Sequence, residues 1–255
     1  MKHILKTVFT LLIANGLWLT ASSQEVNVLF KEADNLEIKL QEPEALEKYK
    51  QILVQEPNNI KALVKSTELS CSIGGRQPIK KDKQLHYQSA LAFAQRALAA
   101  NANDADANYA MAVASGKMTE VETENKKVVE FVKDIKTYAD KALSINPNHA
   151  RANYTLGKWN IEMLNLGGAK KIAIKLLYGG MPQGTIENAI LYMEKCRSLE
   201  PYFMVNYLDL AKAYKQDNKP TKAIEVLQKL VKLPIRTIDD KAIKEEGQKL
   251  LQEMS

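Results

Sequence analysis

The stretch Ala97–Asn103, which reads ALAANAN, decides the fold because it returns 45 residues later as Ala142–Asn148, ALSINPN. Five residues beyond the end of each stretch, Asn108-Tyr109 aligns with Asn153-Tyr154 at the same offset. A sequence that resembles itself at a period of roughly 20 to 50 residues is typical of stacked structural repeats. The sequence therefore predicts a repeat protein.

Each repeat carries the same marker residues: a small, a large and a second small residue, followed by proline. Spacings of four and three place the first three markers on one stripe of a helix, where small side chains let a second helix approach closely. Proline ends one helix and suits the first turn of the next. Four or five copies follow the pattern closely or with relaxed sizes; the second replaces the proline by alanine, and in the last the proline comes one residue early. They are Ala45, Tyr49, Ile52, Pro57; Ala90, Ala94, Ala97, Ala102; Ile135, Ala139, Ala142, Pro147; Ala189, Met193, Cys196, Pro201; and Ala223, Leu227, Leu230, Pro234.

Two family resemblances follow from these residues. The markers resemble the tetratricopeptide repeat over roughly residues 26–235, and the fifth copy matches it at Tyr207, Leu210, Ala211, Tyr214, Ala223, Leu227 and Leu230. The long fourth copy is similar to regulator of microtubule dynamics proteins at Leu156-Gly157-Lys158-Trp159, 177–182, 185–189 and 199–201. That resemblance implies a helical-repeat adaptor without a catalytic motif. Microtubule association belongs to animal members, and only the architecture is carried over here.

The predicted fold is all-α, a right-handed α-solenoid of about five tetratricopeptide-like helix pairs with a C-terminal capping helix. Each pair leaves an apolar face uncovered and must stack on a neighbour. The expected pairs span about 26–57, 58–102, 103–147, 148–201 with an insert at 165–184, and 202–235, and the capping helix spans 238–253.

The first 23 residues have the pattern of a secretory signal. Lys2 and Lys6 precede an apolar run, and Ala21-Ser22-Ser23 offers a cleavage site before Gln24. A permanent membrane anchor is the alternative, but the apolar run has only about 13 residues where a span needs roughly 20. We therefore expect an exported chain, periplasmic or extracellular.

The net charge of +6 would fall to +4 on removal of this segment, which carries two lysines and no acid. That mild basicity is too small and too spread to indicate nucleic-acid binding.

The concave side of such a solenoid is the default binding surface, because the first helix of each pair lines it. Counting outward from the packing stripe selects seven groove residues: Lys61, Tyr109, Arg151, Tyr154, Lys158, Lys212 and Lys215. Phenols and cations together suit an extended or helical peptide that bears acidic groups. The alternative is a solvated helix face that binds nothing. The sequence leaves the oligomeric state open.

The clamp that some tetratricopeptide cochaperones use for a C-terminal carboxylate is not predicted. It needs asparagines and lysines at fixed groove positions in adjacent repeats. Asn108, Asn153 and Asn206 fall a step toward the packing side instead.

The insert 165–184 supplies an alternative function. Ala169, Ile172, Ala173, Leu176 and Leu177 form an apolar stripe opposite Lys170, Lys171 and Lys175. Such a helix suits a membrane surface, which would make the chain a membrane-apposed tethering or assembly factor. Packing of the same stripe on its own fold is the competing interpretation.

Catalysis and cofactors find little support. His86 and His149 are the only histidines beyond the signal, too few for a zinc site unless carboxylates help. No catalytic or phosphate-loop motif occurs, so we expect no enzyme, no metal and no cofactor, with an enzyme built on carboxylates of opposing helices as a third alternative. Cys71 and Cys196 are expected to be small core residues, with a disulfide as the alternative.

Overall fold

A computed structural model describes residues 24–168, 179–180 and 182–254. Over these residues the chain forms eleven helices and no strands. We number them α1 (24–38), α2 (Glu42–Gln55), α3 (Ile60–Gly75), α4 (Lys80–Ala100), α5 (Ala105–Met118), α6 (Asn125–Ile145), α7 (Ala150–Asn165), α8 (Ile186–Leu199), α9 (Met204–Gln216), α10 (Pro220–Leu230) and α11 (Asp240–Met254).

Consecutive helices pack in pairs, and the pairs stack. α3 packs on α4, α5 on α6, α7 on α8 and α9 on α10, while each second helix also contacts the first helix of the next pair. The first helices α3, α5, α7 and α9 form a further row, since each contacts its neighbour two elements away. This arrangement confirms the predicted all-α solenoid and places one row of helices on its inner side.

Small side chains at the helix crossings form the core. Ala45, Ala90, Ala97, Ala142 and Ala189 are all completely buried, and large markers such as Tyr49, Met193 and Leu227 fill the spaces between them. Because alanine at a crossing lets two helix backbones approach closely, the pattern of small residues fixes which faces meet. Cys71 and Cys196 are buried and free, which confirms their interpretation as packing residues.

Side-chain caps begin most of the inner helices. Asn59 accepts a hydrogen bond from the Ala62 amide, and Asp104 accepts one from the Ala107 amide. His149 does the same for α7 with its ring Nδ1. A cap satisfies an amide that otherwise has no partner inside the helix. Inner helices α3, α5 and α7 therefore start at fixed points, which sets the register of the groove described below.

Helix α11 closes the C-terminal end of the stack by packing on α9 and α10. A Cβ atom added at Gly247 would lie only 2.6 Å from Leu230 Cδ2, so the glycine permits the close approach of α11 to α10. The Asp240 carboxylate accepts hydrogen bonds from the Arg236 and Thr237 amides, at 2.7 and 2.8 Å, and orders the turn before α11.

Two predictions lie outside the described residues. The signal segment 1–23 is one, and the amphipathic stripe of the insert, Ala169 to Leu177, is the other. The end of the insert is described: the Thr185 amide donates to Asn160 Oδ1 at 3.1 Å, and a Cβ atom added at the preceding Gly184 would clash with the Asn160 carbonyl. Among the described helices, none is long and apolar enough to cross a membrane.

Replacing Gly157 with alanine is expected to destabilise the fold by about 1 to 3 kcal/mol, because overpacking a tight crossing shifts backbone or rotamers. The new Cβ would lie 2.7 Å from Met193 Cγ and 3.1 Å from the Ala189 carbonyl oxygen on α8. Gly116→Ala is the control, since its Cβ would meet only the Ile135 side chain, at 3.7 and 3.9 Å, which is ordinary van der Waals contact. Urea unfolding of both variants measures the difference. Equal midpoints for the two variants would contradict the close crossing of α7 and α8.

Candidate functional site

The inner row of helices encloses two adjoining cavities of about 420 and 310 Å³. The larger cavity lies among α3, α5, α7 and the start of α9, and the smaller among α5, α6, α7 and α9. Five residues line both cavities: Val113, Lys117, Tyr154, Thr155 and Val205. We call the two cavities together the concave groove.

Two tyrosines at equivalent repeat positions are fixed by carboxylates. The Tyr109 hydroxyl donates to Glu68 Oε1 at 2.9 Å, and the Tyr154 hydroxyl donates to Asp209 Oδ2 at 2.8 Å. Burial, together with the facing carboxylate, raises the pKa of each phenol well above its ordinary value. Both phenols are therefore neutral donors whose positions are set within the protein.

Arg151 links three elements of the inner face. Its Nη1 lies 3.0 Å from Glu68 Oε1 on α3, and its Nη2 lies 3.0 Å from Glu200 Oε1, which precedes α9. The guanidinium carbon also lies 4.7 Å from the centre of the Phe203 ring. Burial alone would lower the pKa of Arg151, but Glu68 and Glu200 hold it well above its ordinary value.

Glu68 responds to the same network in the opposite direction. Burial alone would raise the pKa of its carboxyl, but the attraction of Arg151 and Lys65 lowers it below the ordinary 4.5. One carboxylate oxygen of Glu68 therefore receives donors from both Tyr109 and Arg151, and α3, α5 and α7 meet at that atom.

The two lysines of the groove are paired differently, and only Lys158 lacks a close carboxylate partner. Lys158 Nζ lies 3.6 Å from Asp209 Oδ2 and 3.8 Å from Glu162 Oε1, distances beyond an ordinary hydrogen bond. Lys117 Nζ donates to Glu120 Oε1 at 2.7 Å. Burial, with added repulsion from Asp209 and Glu120, raises the pKa of Glu162. This end of the groove holds carboxylates with spare acceptor capacity.

The structure brings four of the seven sequence-selected residues to the groove: Tyr109, Arg151, Tyr154 and Lys158. Lys61 lies apart, with its Nζ 3.9 Å from Asp34 Oδ2 and 4.4 Å from the centre of the Phe30 ring. Lys212 and Lys215 line a separate cleft of about 370 Å³ between α9 and α11, where Lys212 pairs with Glu246 at 2.7 Å.

With this geometry in place, the chain can be compared with known proteins. The family described as Regulator of microtubule dynamics protein 1-3 matches residues 29–255. The chain belongs to this family. The sequence resemblance stated above is thereby confirmed, and no curated protein sequence gives a significant match.

Solved structures support the fold of this family member. A thermophilic tetratricopeptide repeat protein of Thermus thermophilus superposes with a TM-score of 0.63 at 13% identity, over 88% of this chain and 98% of that one. The pilF protein of Pseudomonas aeruginosa superposes with a TM-score of 0.53 at 12% identity, over 92% of this chain and 88% of that one. At such low identity these likenesses show the fold alone.

The three asparagines of this family member that were considered for a clamp stabilise turns and helix contacts. Asn108 Nδ2 donates to the Ala102 and Asp104 carbonyls, and Asn153 Nδ2 donates to the Pro147 and His149 carbonyls. Asn206 Nδ2 donates to the Met193 carbonyl at 3.0 Å. All three are buried among helices and do not line the two cavities.

Sequence reasoning missed the acidic half of the groove. Glu68 lies 90 residues before Lys158, two repeats of 45, so the count that selects Lys158 also selects Glu68. Asp209 and Glu162 were missed for the same reason: only cations and phenols were taken from the inner face. No cluster of three or more metal-ligating side chains occurs within 24–168, 179–180 and 182–254.

A long-range ion pair closes one end of the groove. Arg76, directly after α3, has Nη1 2.8 Å from Asp239 Oδ2 and also pairs with Glu42 on α2. Asp239 lies just before α11, 163 residues along the chain, and lines the larger cavity. Nothing in the repeat pattern indicates this contact.

Glu68→Gln is expected to destabilise the fold at neutral pH by about 1 to 3 kcal/mol, because it weakens hydrogen bonds to a charged group. Since folding lowers the pKa of Glu68 below 4.5, its contribution is complete above pH 4.5 and is lost as the pH falls toward the folded pKa. The variant should therefore lose less stability than the parent on acidification.

Urea unfolding at several pH values from 7 down to 3.5 measures this effect. Glu47→Gln is the matched control, because Glu47 is exposed and pairs only with Lys50 three residues away. The role of Glu68 would be refuted by equal unfolding free energies for the parent and Glu68→Gln across that range.

Proposed function

We propose that the chain is a non-enzymatic scaffold that holds a peptide or protein segment in the concave groove. The observation that carries this proposal is the continuity of the groove: its two adjoining cavities share five lining residues drawn from α5, α7 and α9. A continuous groove along several repeats suits an extended or helical segment better than one small molecule.

The lining of the groove supports segment binding. Val113, Thr155 and Val205 are half-buried and lie along the shared floor, where a partner's apolar side chains would remove them from water. Tyr109, Tyr154 and Arg151 are held by carboxylates before any partner arrives. Side chains that are already ordered lose little entropy on binding, which favours affinity.

The groove chemistry also supports a non-enzymatic role. Burial raises the pKa of both thiols, Cys71 and Cys196, to about 12, so neither is an activated nucleophile. The Glu68 carboxylate, one of the opposing carboxylates of the groove, is engaged by Arg151 and Tyr109 and is not free to act as a base.

The acidic partner expected from the sequence stays a prediction, and the pairing of the groove cations weighs against it. Arg151 already faces Glu68 and Glu200, so an acidic side chain would have to displace one of them. The membrane-tethering alternative also stays a prediction, because the stripe of the insert lies outside the described residues.

We also propose that the chain is exported through its first 23 residues. When all 255 residues are expressed in a bacterial host, the processed protein should then appear outside the cytoplasm, with Gln24 as its first residue. Cell fractionation and the intact mass of the purified chain measure both points. A cytoplasmic chain that keeps residues 1–23 would refute export and would leave the groove proposal untouched.

The groove proposal is tested with a photo-crosslinking residue, p-benzoylphenylalanine, at Val113 in cells of the native host. Val113 lines both cavities, and its partly buried side chain packs against the core without any side-chain hydrogen bond, so the probe faces the groove without breaking one. We expect one dominant protein adduct by mass spectrometry. The same probe at Leu191, which is 64% exposed on the second helix of its pair, is the control and should not capture that protein. Equal capture by both probes, or by neither, would refute the groove as the binding surface.

A further inference from the structure

We infer that the segment bound in the concave groove is basic, with lysine or arginine side chains set among apolar ones. This inference rests on the proposed groove function and adds the chemical class of its partner. Three observations carry it: the balance of charge at the smaller cavity, the engagement of the groove's arginines, and an incompletely paired carboxylate group at that end.

The smaller cavity has one more carboxylate than cations beside it. The charged side chains that line the two cavities are balanced overall, with Arg76, Lys117, Arg151 and Lys158 against Glu68, Glu120, Glu162 and Asp239. Asp209, 3.6 Å from Lys158, adds a further carboxylate beside the smaller cavity, where Lys117 and Lys158 then face Glu120, Glu162 and Asp209. This end of the groove would attract a cation although the whole chain is basic.

The arginines of the groove are already occupied. Arg151 faces Glu68 and Glu200, and Arg76 faces Glu42 and Asp239. A partner carboxylate would gain these guanidiniums only by displacing carboxylates that are half-buried, and the displaced charges would lose their partners. An acidic segment would therefore lose interactions as it gained others.

The carboxylates at the smaller cavity are different. Glu162 and Asp209 face Lys158 at 3.8 and 3.6 Å, too far for a direct hydrogen bond. Their mutual repulsion is relieved when a further cation arrives between them. A lysine or arginine head group placed there would gain hydrogen bonds without displacing an existing partner.

The walls of the smaller cavity suit the rest of such a side chain. Ile135, Tyr154 and Trp159 line it, and its volume is about 310 Å³. Lysine and arginine bury their methylene stems along apolar surface and keep the charged head near acceptors. The smaller cavity thus combines an apolar wall with the Glu162 carboxylate, and Asp209 lies beside it next to Tyr154 and Lys158, so the cavity fits one basic side chain of the partner.

The test uses two fluorescein-labelled peptides of equal length, with leucine and valine at alternate positions and either lysine or glutamate between them. Fluorescence anisotropy against the purified chain should show at least tenfold tighter binding of the lysine peptide at low salt. Added salt should weaken that binding, because exposed charges are screened. Tighter binding of the glutamate peptide would overturn the basic specificity and would leave the scaffold proposal standing.

A matched pair of variants locates the recognition site. Glu162→Gln, alone or with Asp209→Asn, should weaken binding of the lysine peptide three- to tenfold. The control combines Glu47→Gln with Glu187→Gln, which removes two exposed carboxylates on second helices and should leave that binding unchanged. Equal weakening by both pairs would reduce the effect to nonspecific attraction and overturn the inference. If neither peptide binds and the Val113 probe captures nothing, the groove function itself is refuted.

Discussion

The inner face of the solenoid depends on one carboxylate. Glu68 Oε1 accepts from Tyr109 on α5 and from Arg151 on α7, and the same guanidinium continues to Glu200 before α9. Three inner helices and the turn before α9 are thereby joined by hydrogen bonds to charged groups, and the Arg151–Glu68 pair alone spans 83 residues of sequence. Pairs of this kind are roughly twice as strong as neutral ones, and removing one partner leaves the other uncompensated. The network fixes the spacing of the inner helices, and so the width of the groove.

The helix pairs were predictable because their cause is local. Alanine at 45, 90, 97, 142 and 189 recurs at set distances from the next turn, and a helix crossing needs small residues only at those points. The identity of each ion pair was not predictable for the opposite reason. Whether Arg151 reaches Glu68, or Arg76 reaches Asp239, depends on how steeply the stack curves, and curvature is the sum of small rotations over many repeats.

In the groove, too, the positions of residues were predictable from the sequence, whereas their partners were not. Counting from the packing stripe placed Tyr109, Arg151 and Tyr154 on the inner face, where they are found. The count gave no information on what faces them, so donors already used by Glu68 and Asp209 were taken as ligand contacts. Lys61 and Lys212 lie on inner helices too, but toward the two ends of the stack, away from the cavities.

The charged residues of the groove therefore fall into two groups with different roles. Arg76 and Arg151 have short, half-buried contacts that hold distant helices together, so their charges stabilise the fold. Lys158 and Glu162 are exposed and loosely paired, so their charge stays available to a partner. Membership of the family accounts for the helical architecture, whereas the proposed recognition of a basic segment depends on the second group. Because the two groups share few residues, substitutions of the exposed groove charges would change whether the groove prefers a basic or an acidic partner, while the fold stays intact.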